Sequence, residues 1–173
     1  MYSRTSDHST PGERPLSAEL AAAVAGARRR AQRDGDRQID TAHLLHSLLE
    51  ADADARHALP GGPPQVARLL GYLVQRSIGY GLRWSATVED SQALPRLPEG
   101  GAPGWSPAAA TAMTAAAARA AARGAGPVGG TDLLAALAHD PRCRAVDVLR
   151  RAGVDLPALD ARLEPAVRHA QSG

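Results

Sequence analysis

The sequence predicts an all-α fold made of two pseudo-repeats of about four helices each, joined by an extended or β-like linker. The apolar residues, 44% of the 173 residues, are mostly Ala and Leu, which favour helix. They recur at helical spacing along most of the chain. The chain also contains an internal repeat, because residues 17–49 are similar in sequence to residues 106–138. These three observations together favour two similar helical units.

The first unit contains start and stop signals for each helix. Ser17 is placed to cap the first helix, and Gly35 to end it. Thr41 is placed to cap a second helix with a Leu-rich face. A short third helix is predicted over residues 54–59. The fourth is predicted to begin near Pro64, because proline is tolerated in the first turn.

The second unit aligns with the first without a gap. Ten of the 33 aligned positions are identical, and the helix-ending Gly35 aligns with Gly124. Ile39 is matched by the similar Val128. Asp155 is then placed to cap the last helix. Repeats of this kind usually pack face to face, so we expect a pseudo-twofold arrangement.

We therefore expect four segments. Residues 1–15 form a flexible tail, 16–76 the first repeat, 77–104 a linker and 105–170 the second repeat. The two helical segments are called repeat 1 and repeat 2 below.

The linker contains a stretch with the periodicity of a strand. From Ile78 to Val88 every second residue is apolar. A hairpin or extended strap covering the repeats would produce this pattern. An edge used to dock a partner would produce it as well. In the second case Tyr80 and Trp84 would be anchors, since large aromatic residues dominate binding hot spots.

Composition limits the classes of partner and the compartment. The net charge of +2 is mild for a nucleic-acid-binding protein. All twenty basic residues are Arg, and Lys and Asn are absent, which indicates a GC-rich genome rather than selection for Arg. Cys143 is the single cysteine and fits a reducing compartment. We find neither an apolar run of ~18 residues nor a signal-peptide core, and expect a cytoplasmic protein without a membrane partner.

Two stretches of the sequence carry a resemblance to a known family. They read "LSAELAAAVAGARRRAQRDGDRQIDTAHLLHSLL" and "WSPAAATAMTAAAARAAARGAGPVGGTDLLAALA", and "VLRRAGVDLPALDARL" follows later. Both repeats resemble the N-terminal domain of Clp ATPases of the ClpC and ClpA type. The resemblance covers residues 16–170 apart from the linker. No phosphate-binding loop with its Lys is present, so we expect a stand-alone recognition domain without ATPase modules.

The resemblance implies binding rather than catalysis. In the family this domain docks adaptors and substrates, in some members it binds phosphorylated arginine, and in actinobacteria cyclic peptide antibiotics target it. The family Glu that reads phosphoarginine falls on Ala42 in repeat 1. In repeat 2 it falls on Thr131, or on Asp132 if one residue is deleted. Because repeat 1 has Ala42 in place of this Glu, the sequence argues against phosphoarginine binding.

Other candidate chemistry is weak. His43 and His46 have a spacing that could bind a metal, but we predict neither metal nor cofactor because no further ligand is evident. Cys143 follows His139 by four residues, and Asp52 lies close to Asp54. A lone thiol and a polar turn explain these better than a catalytic site.

One further feature is the Arg cluster at residues 28–30. We interpret it as a solvated helix face, although it could contact phosphate. No enzyme activity is predicted, because no candidate group of residues supports one.

The predicted function is non-catalytic binding of a protein or peptide, as an adaptor or decoy in Clp-dependent proteolysis. Sequestration of cyclic peptides that target the Clp domain is the alternative, followed by a small nucleic-acid-binding regulator. By resemblance the partner surface lies at the starts of the first helix of each repeat. Its residues, together with the linker aromatics, are Leu16, Ser17, Tyr80, Trp84, Trp105 and Ser106.

Overall fold

Eight helices and two short strands make up the part of the chain that the computed structural model describes, residues 14–77 and 104–164. In repeat 1 these are α1 (Ala18–Arg33), β1 (Gln38–Ile39), α2 (Thr41–Ala51), α3 (Ala53–Ala58) and α4 (Gly62–Ser77). In repeat 2 they are β2 (Gly104–Trp105), α5 (Pro107–Arg123), α6 (Gly130–His139), α7 (Arg144–Arg151) and α8 (Leu156–Leu163). The predicted all-α class is confirmed.

The first helix of each repeat presents to the core a narrow face that consists mainly of Ala. In α1 this face consists of Leu20, Ala23, Ala27 and Ala31, and in α5 of Ala109, Ala112, Ala116 and Ala120. The spacing of three and four residues places each set on one side of its helix. Small side chains allow close approach, and α1 packs along α2 while α5 packs along α6.

Helices α2 and α6 form the centre of the core. Leu44, Leu45 and Leu48 of α2 and their counterparts Leu133, Leu134 and Leu137 of α6 are all fully buried. The two helices also contact each other. The repeated Leu pattern therefore builds one core shared by both repeats, and complete burial of one such Leu side chain contributes about 1.5–3 kcal/mol.

The prediction that Thr41 caps α2 is wrong. Asp40 caps it, because its Oδ1 atom accepts a hydrogen bond from His43 N at 2.8 Å. His43 reaches back in turn, and its Nδ1 accepts from Asp40 N at 2.9 Å. The hydroxyl of Thr41 instead accepts from Ala145 N at the start of α7. A reciprocal cap by Asp and His thus displaces Thr to the first helical position.

Helix α4 starts two residues earlier than predicted. The side chain of Gln65 accepts a hydrogen bond from Gly61 N at 3.0 Å, which stabilises a first turn containing Pro63 and Pro64. Val74 on this helix has 48% of its surface exposed and lies off the core.

The alternating stretch from Ile78 to Val88 lies outside the described residues, as do Tyr80 and Trp84. Of the helices within residues 14–77 and 104–164, none combines the length and the apolar character that crossing a membrane requires.

Candidate functional site

The segments that lead into α1 and α5 pair with the opposite repeat. Leu16 forms a parallel β-bridge with Val128, just before α6. Trp105 pairs in parallel with Ile39, just before α2. Leu16 and Trp105 occupy equivalent positions of the two repeats, and so do Ile39 and Val128. The pairing is therefore reciprocal, as expected for two copies packed about a pseudo-twofold axis.

Backbone hydrogen bonds fix both pairings at similar lengths. Ser17 N donates to Val128 O at 2.8 Å, and Ser106 N donates to Ile39 O at 2.9 Å. Val128 N also donates to Pro15 O at 2.9 Å. Each repeat thus supplies the strand-like segment that holds the start of the other repeat's second helix.

The two serines act as helix caps. Ser17 Oγ accepts from Leu20 N, and Ser106 Oγ accepts from Ala109 N, both at 3.1 Å. Ser106 is fully buried, whereas Ser17 is half-buried. Because Ser106 has no exposed surface, it is not placed to contact a partner directly.

Leu16 and Trp105 offer apolar surface beside these caps. Leu16 is 36% exposed. Among the large apolar side chains of the described residues, only Leu16 and Val74 are exposed to this extent or more. Trp105 is half-buried and packs against the core. We call the partly exposed residues Leu16, Ser17 and Trp105 the helix-start surface, and the buried Ser106 supports it as the cap of α5.

The loops beside the helix-start surface differ in charge. Next to Leu16, Arg14 donates to Gly124 O at 2.8 Å and to Gly126 O at 3.0 Å. The loop before β1, whose Ile39 pairs with Trp105, contains both Asp34 and Asp36 and the cation Arg37. The side of the surface at Leu16 is thus bordered by a cation, and the side at Trp105 by a loop of mixed charge.

The structure resolves which residue of repeat 2 takes the place of the family Glu. Asp132 Oδ2 accepts from Gly129 N at 2.9 Å, just as His43 Nδ1 accepts from Asp40 N. Asp132 therefore corresponds to His43, and the ungapped alignment is the structural one. Its other oxygen accepts from Arg123, and its side chain is almost completely buried.

The family Glu accordingly falls on Ala42 and Thr131. Ala42 is fully buried and Thr131 is half-buried. Neither side chain carries a charge that could pair with a guanidinium group.

One group of side chains has the composition of a metal site, namely Asp34, Asp36 and His43. The tautomer of His43 opposes metal binding. Its Nδ1 accepts a backbone N–H, so the ring proton lies on Nε2 and is directed at Asp36 Oδ2, 2.7 Å away. A metal-bound imidazole normally donates through its second nitrogen, which is the reverse of this arrangement. Asp36 orients His43 for capping.

The remaining candidates from the sequence take up structural positions. Cys143 is 1% exposed and its thiol donates to Leu137 O, whereas nucleophilic catalysis needs an accessible thiolate. Asp52 caps α3 through Asp54 N and Ala55 N. In the Arg cluster, Arg28 and Arg29 are exposed.

Sequence reasoning missed the contacts that join the repeats. Asp40 Oδ2 accepts from Arg144 at 2.8 Å, and both side chains are largely buried. An Asp directly before the helical Thr was a cap signal in the sequence. No sequence signal linked it to Arg144, which lies 104 residues away.

Comparison with known proteins gives fold neighbours only. No family model matches the chain, and no curated protein matches its sequence. The Hsp104 N-terminal domain from Candida albicans is similar, with a TM-score of 0.62 and 14% identity, covering 91% of this chain and 93% of that one. So is the N-terminal domain of the chaperone ClpD from Arabidopsis thaliana, with a TM-score of 0.60 and 16% identity over 91% and 95%.

A third solved structure, from a study of a malarial protein secretion system, has a TM-score of 0.59 and 16% identity, covering 86% of this chain and 92% of that one. The chain thus has the fold of the Clp and Hsp104 N-terminal domains. The resemblance seen in the sequence is confirmed at the level of the fold.

Proposed function

We propose that this chain is a non-catalytic binding module that acts as an adaptor or decoy in Clp-dependent proteolysis, holding protein or peptide segments at the helix-start surface. The observation that supports it most is the reciprocal pairing of Leu16 with Val128 and of Trp105 with Ile39. It sets two partly exposed apolar side chains at equivalent positions beside capped helix starts. An exposed apolar residue on a rigid support is a typical anchor for a partner.

The decoy mechanism follows from mass action. A domain without an ATPase that binds the same segments as the unfoldase lowers their free concentration. Its effect requires comparable affinity and sufficient abundance. An adaptor would instead increase delivery, because it would hold the segment and the unfoldase at the same time. The two mechanisms therefore change the rate of substrate degradation in opposite directions.

The test is a reconstituted assay with the Clp unfoldase and peptidase of the same host and a substrate whose delivery depends on the unfoldase N-terminal domain. A decoy slows degradation in proportion to its concentration, and an adaptor accelerates it. Replacing both Leu16 and Trp105 by Ala is expected to weaken either effect at least tenfold, since truncating an anchor costs about 1–4 kcal/mol.

Val74→Ala is the matched control. Val74 is the other exposed large apolar residue among those described, and it lies on α4, outside the helix-start surface. This variant should behave as the wild type does. Unchanged degradation at saturating wild-type concentration would contradict the proposal. Binding of DNA that weakens steeply with salt would favour the nucleic-acid alternative.

A further inference from the structure

His46 on α2 is a buried imidazole in an unusual setting. Only 4% of its side chain is exposed, and its Nε2 atom forms no hydrogen bond. Glu50 Oε1 lies 3.3 Å from that nitrogen. The carboxylate of Glu50 is instead engaged by Arg30 of α1, which also donates from Nε to Ser47 Oγ at 3.3 Å.

Repeat 2 has no equivalent of this cluster. At the aligned positions Ala135 replaces His46, Ala136 replaces Ser47 and His139 replaces Glu50. Arg119, which corresponds to Arg30, pairs with Glu164 after α8. The cluster of His, Arg and Glu between the first and second helices is therefore found in repeat 1 alone. In repeat 2 the corresponding positions of α6 are Ala135 and Ala136, and the ion pair between α5 and α6 is Arg123 with Asp132, which contains no imidazole.

We propose that the contact between α1 and α2, built from His46, Arg30 and Glu50, makes repeat 1 open more readily under mild acid, while the corresponding contact of repeat 2 does not. Protonated His46 would place a second cation beside Arg30 inside the α1–α2 interface. Opening this interface would disturb both segments of repeat 1 that build the helix-start surface, because Ser17 leads into α1 and Ile39 leads into α2.

The titration of His46 supports the direction of the effect. Burial, and next the positive charge of Arg30, lower its pKa from 6.5 to about 4. Glu50 opposes this shift, and Arg33 adds to it. The folded pKa lies below the unfolded one, so the open state binds more protons. The closed state is therefore favoured above pH 6.5 and loses this advantage as the pH falls towards 4.

Hydrogen exchange of the full chain at pH 7.5 and pH 5.0, corrected for intrinsic rates, tests the proposal. Opening of the α1–α2 interface that exposes His46 should be about thirtyfold more frequent at pH 5.0 than at pH 7.5. The slow amides of α1 and α2 should show this change relative to those of α5 and α6. His46→Ala, which installs the residue of repeat 2, should abolish the difference. His57→Ala, at an exposed position on α3, should leave it intact.

NMR titration of the imidazoles is a second measurement. The signal of His46, assigned by its absence from the spectrum of His46→Ala, should show that His46 stays neutral until about pH 4. Six His residues that all titrate between pH 6 and 7 would overturn the proposal. So would a His46→Ala protein that keeps the wild-type difference in exchange.

Discussion

Asp40 of repeat 1 and Arg144 of repeat 2 form an ion pair of 2.8 Å in which 2% of the Asp and 13% of the Arg side chain are exposed. The same carboxylate caps α2 through His43 N. One side chain therefore starts a central helix and binds the opposite repeat. Thr41, the next residue, adds a second link through its hydroxyl to Ala145 N. The two repeats are joined at the start of α2 by adjacent residues.

Asp40→Ala should lower the free energy of unfolding by about 3–5 kcal/mol, because it removes a buried carboxylate that pairs with Arg144 and removes a helix cap. Asp40→Asn should cost less, since its amide oxygen can still cap. Urea denaturation followed by circular dichroism measures both. Asp54→Ala, at an exposed position in the first turn of α3, should change stability by less than ~0.5 kcal/mol. Equal losses for Asp40→Ala and Asp54→Ala would refute this role.

Thr41→Val should destabilise the protein by about 1–3 kcal/mol, because it keeps the shape of the side chain but removes the acceptor for Ala145 N. Thr41→Ser keeps the hydroxyl and should recover most of the loss. Hydrogen exchange should show faster exchange at the first turn of α7 in the Val variant alone. Thr111→Val, at an exposed position on α5, serves as the control. Normal exchange at Ala145 in Thr41→Val would show that the contact contributes little.

The fold could be predicted because its determinants are local in sequence. Ser17 and Asp155 cap their helices as expected, through Leu20 N and Ala158 N. Gly35 ends α1 with a φ of 71°, a conformation that glycine adopts without strain. The Leu positions of α2 and α6 are buried as their spacing predicted.

The contacts between the repeats could not be predicted in this way. The pairing of Trp105 with Ile39 depends on how two distant segments meet, and neither segment has enough residues to show a strand period. Asp40 and Thr41 are both good capping residues, and only the tertiary contact of Thr41 with Ala145 decides between them. The full burial of Ser106 likewise follows from its place between the repeats. The resemblance to the Clp domain, and not a sequence pattern, therefore indicates this candidate surface.

Cys143 should be protected from thiol reagents in the folded protein, because it is 1% exposed and donates to Leu137 O. We expect reaction with a chromogenic disulfide to be at least a hundredfold slower than in denaturant, with a rate that follows opening of the core. Asp40→Ala should accelerate this reaction, because it removes the ion pair between Asp40 and Arg144. Arg144 is the first residue of α7 and directly follows Cys143. Rapid labelling of the native wild type would contradict this prediction. It would show that the thiol is accessible and could react as a nucleophile.

Two helical glycines should respond to alanine with opposite signs. A Cβ at Gly130, the first residue of α6, would clash with Asp52 Oδ2 and lie 2.8 Å from Leu48 Cδ1. Gly130→Ala should therefore destabilise the protein by about 1–3 kcal/mol, as overpacking does. A Cβ at Gly71, inside α4, would meet nothing within 4 Å. Gly71→Ala should stabilise the protein by about 0.5–1 kcal/mol through helix propensity.

Thermal and urea denaturation of the two alanine variants measure this contrast, and the double variant should show additive changes because the sites share no contact. Combining Gly130→Ala with Asp52→Ala separates the clash from other effects. The second change removes the carboxylate that the new methyl group meets, although it also removes the cap of α3. The pair should therefore be more stable than the sum of the two single losses predicts. A strictly additive result would mean that Asp52 is not what excludes a side chain at residue 130.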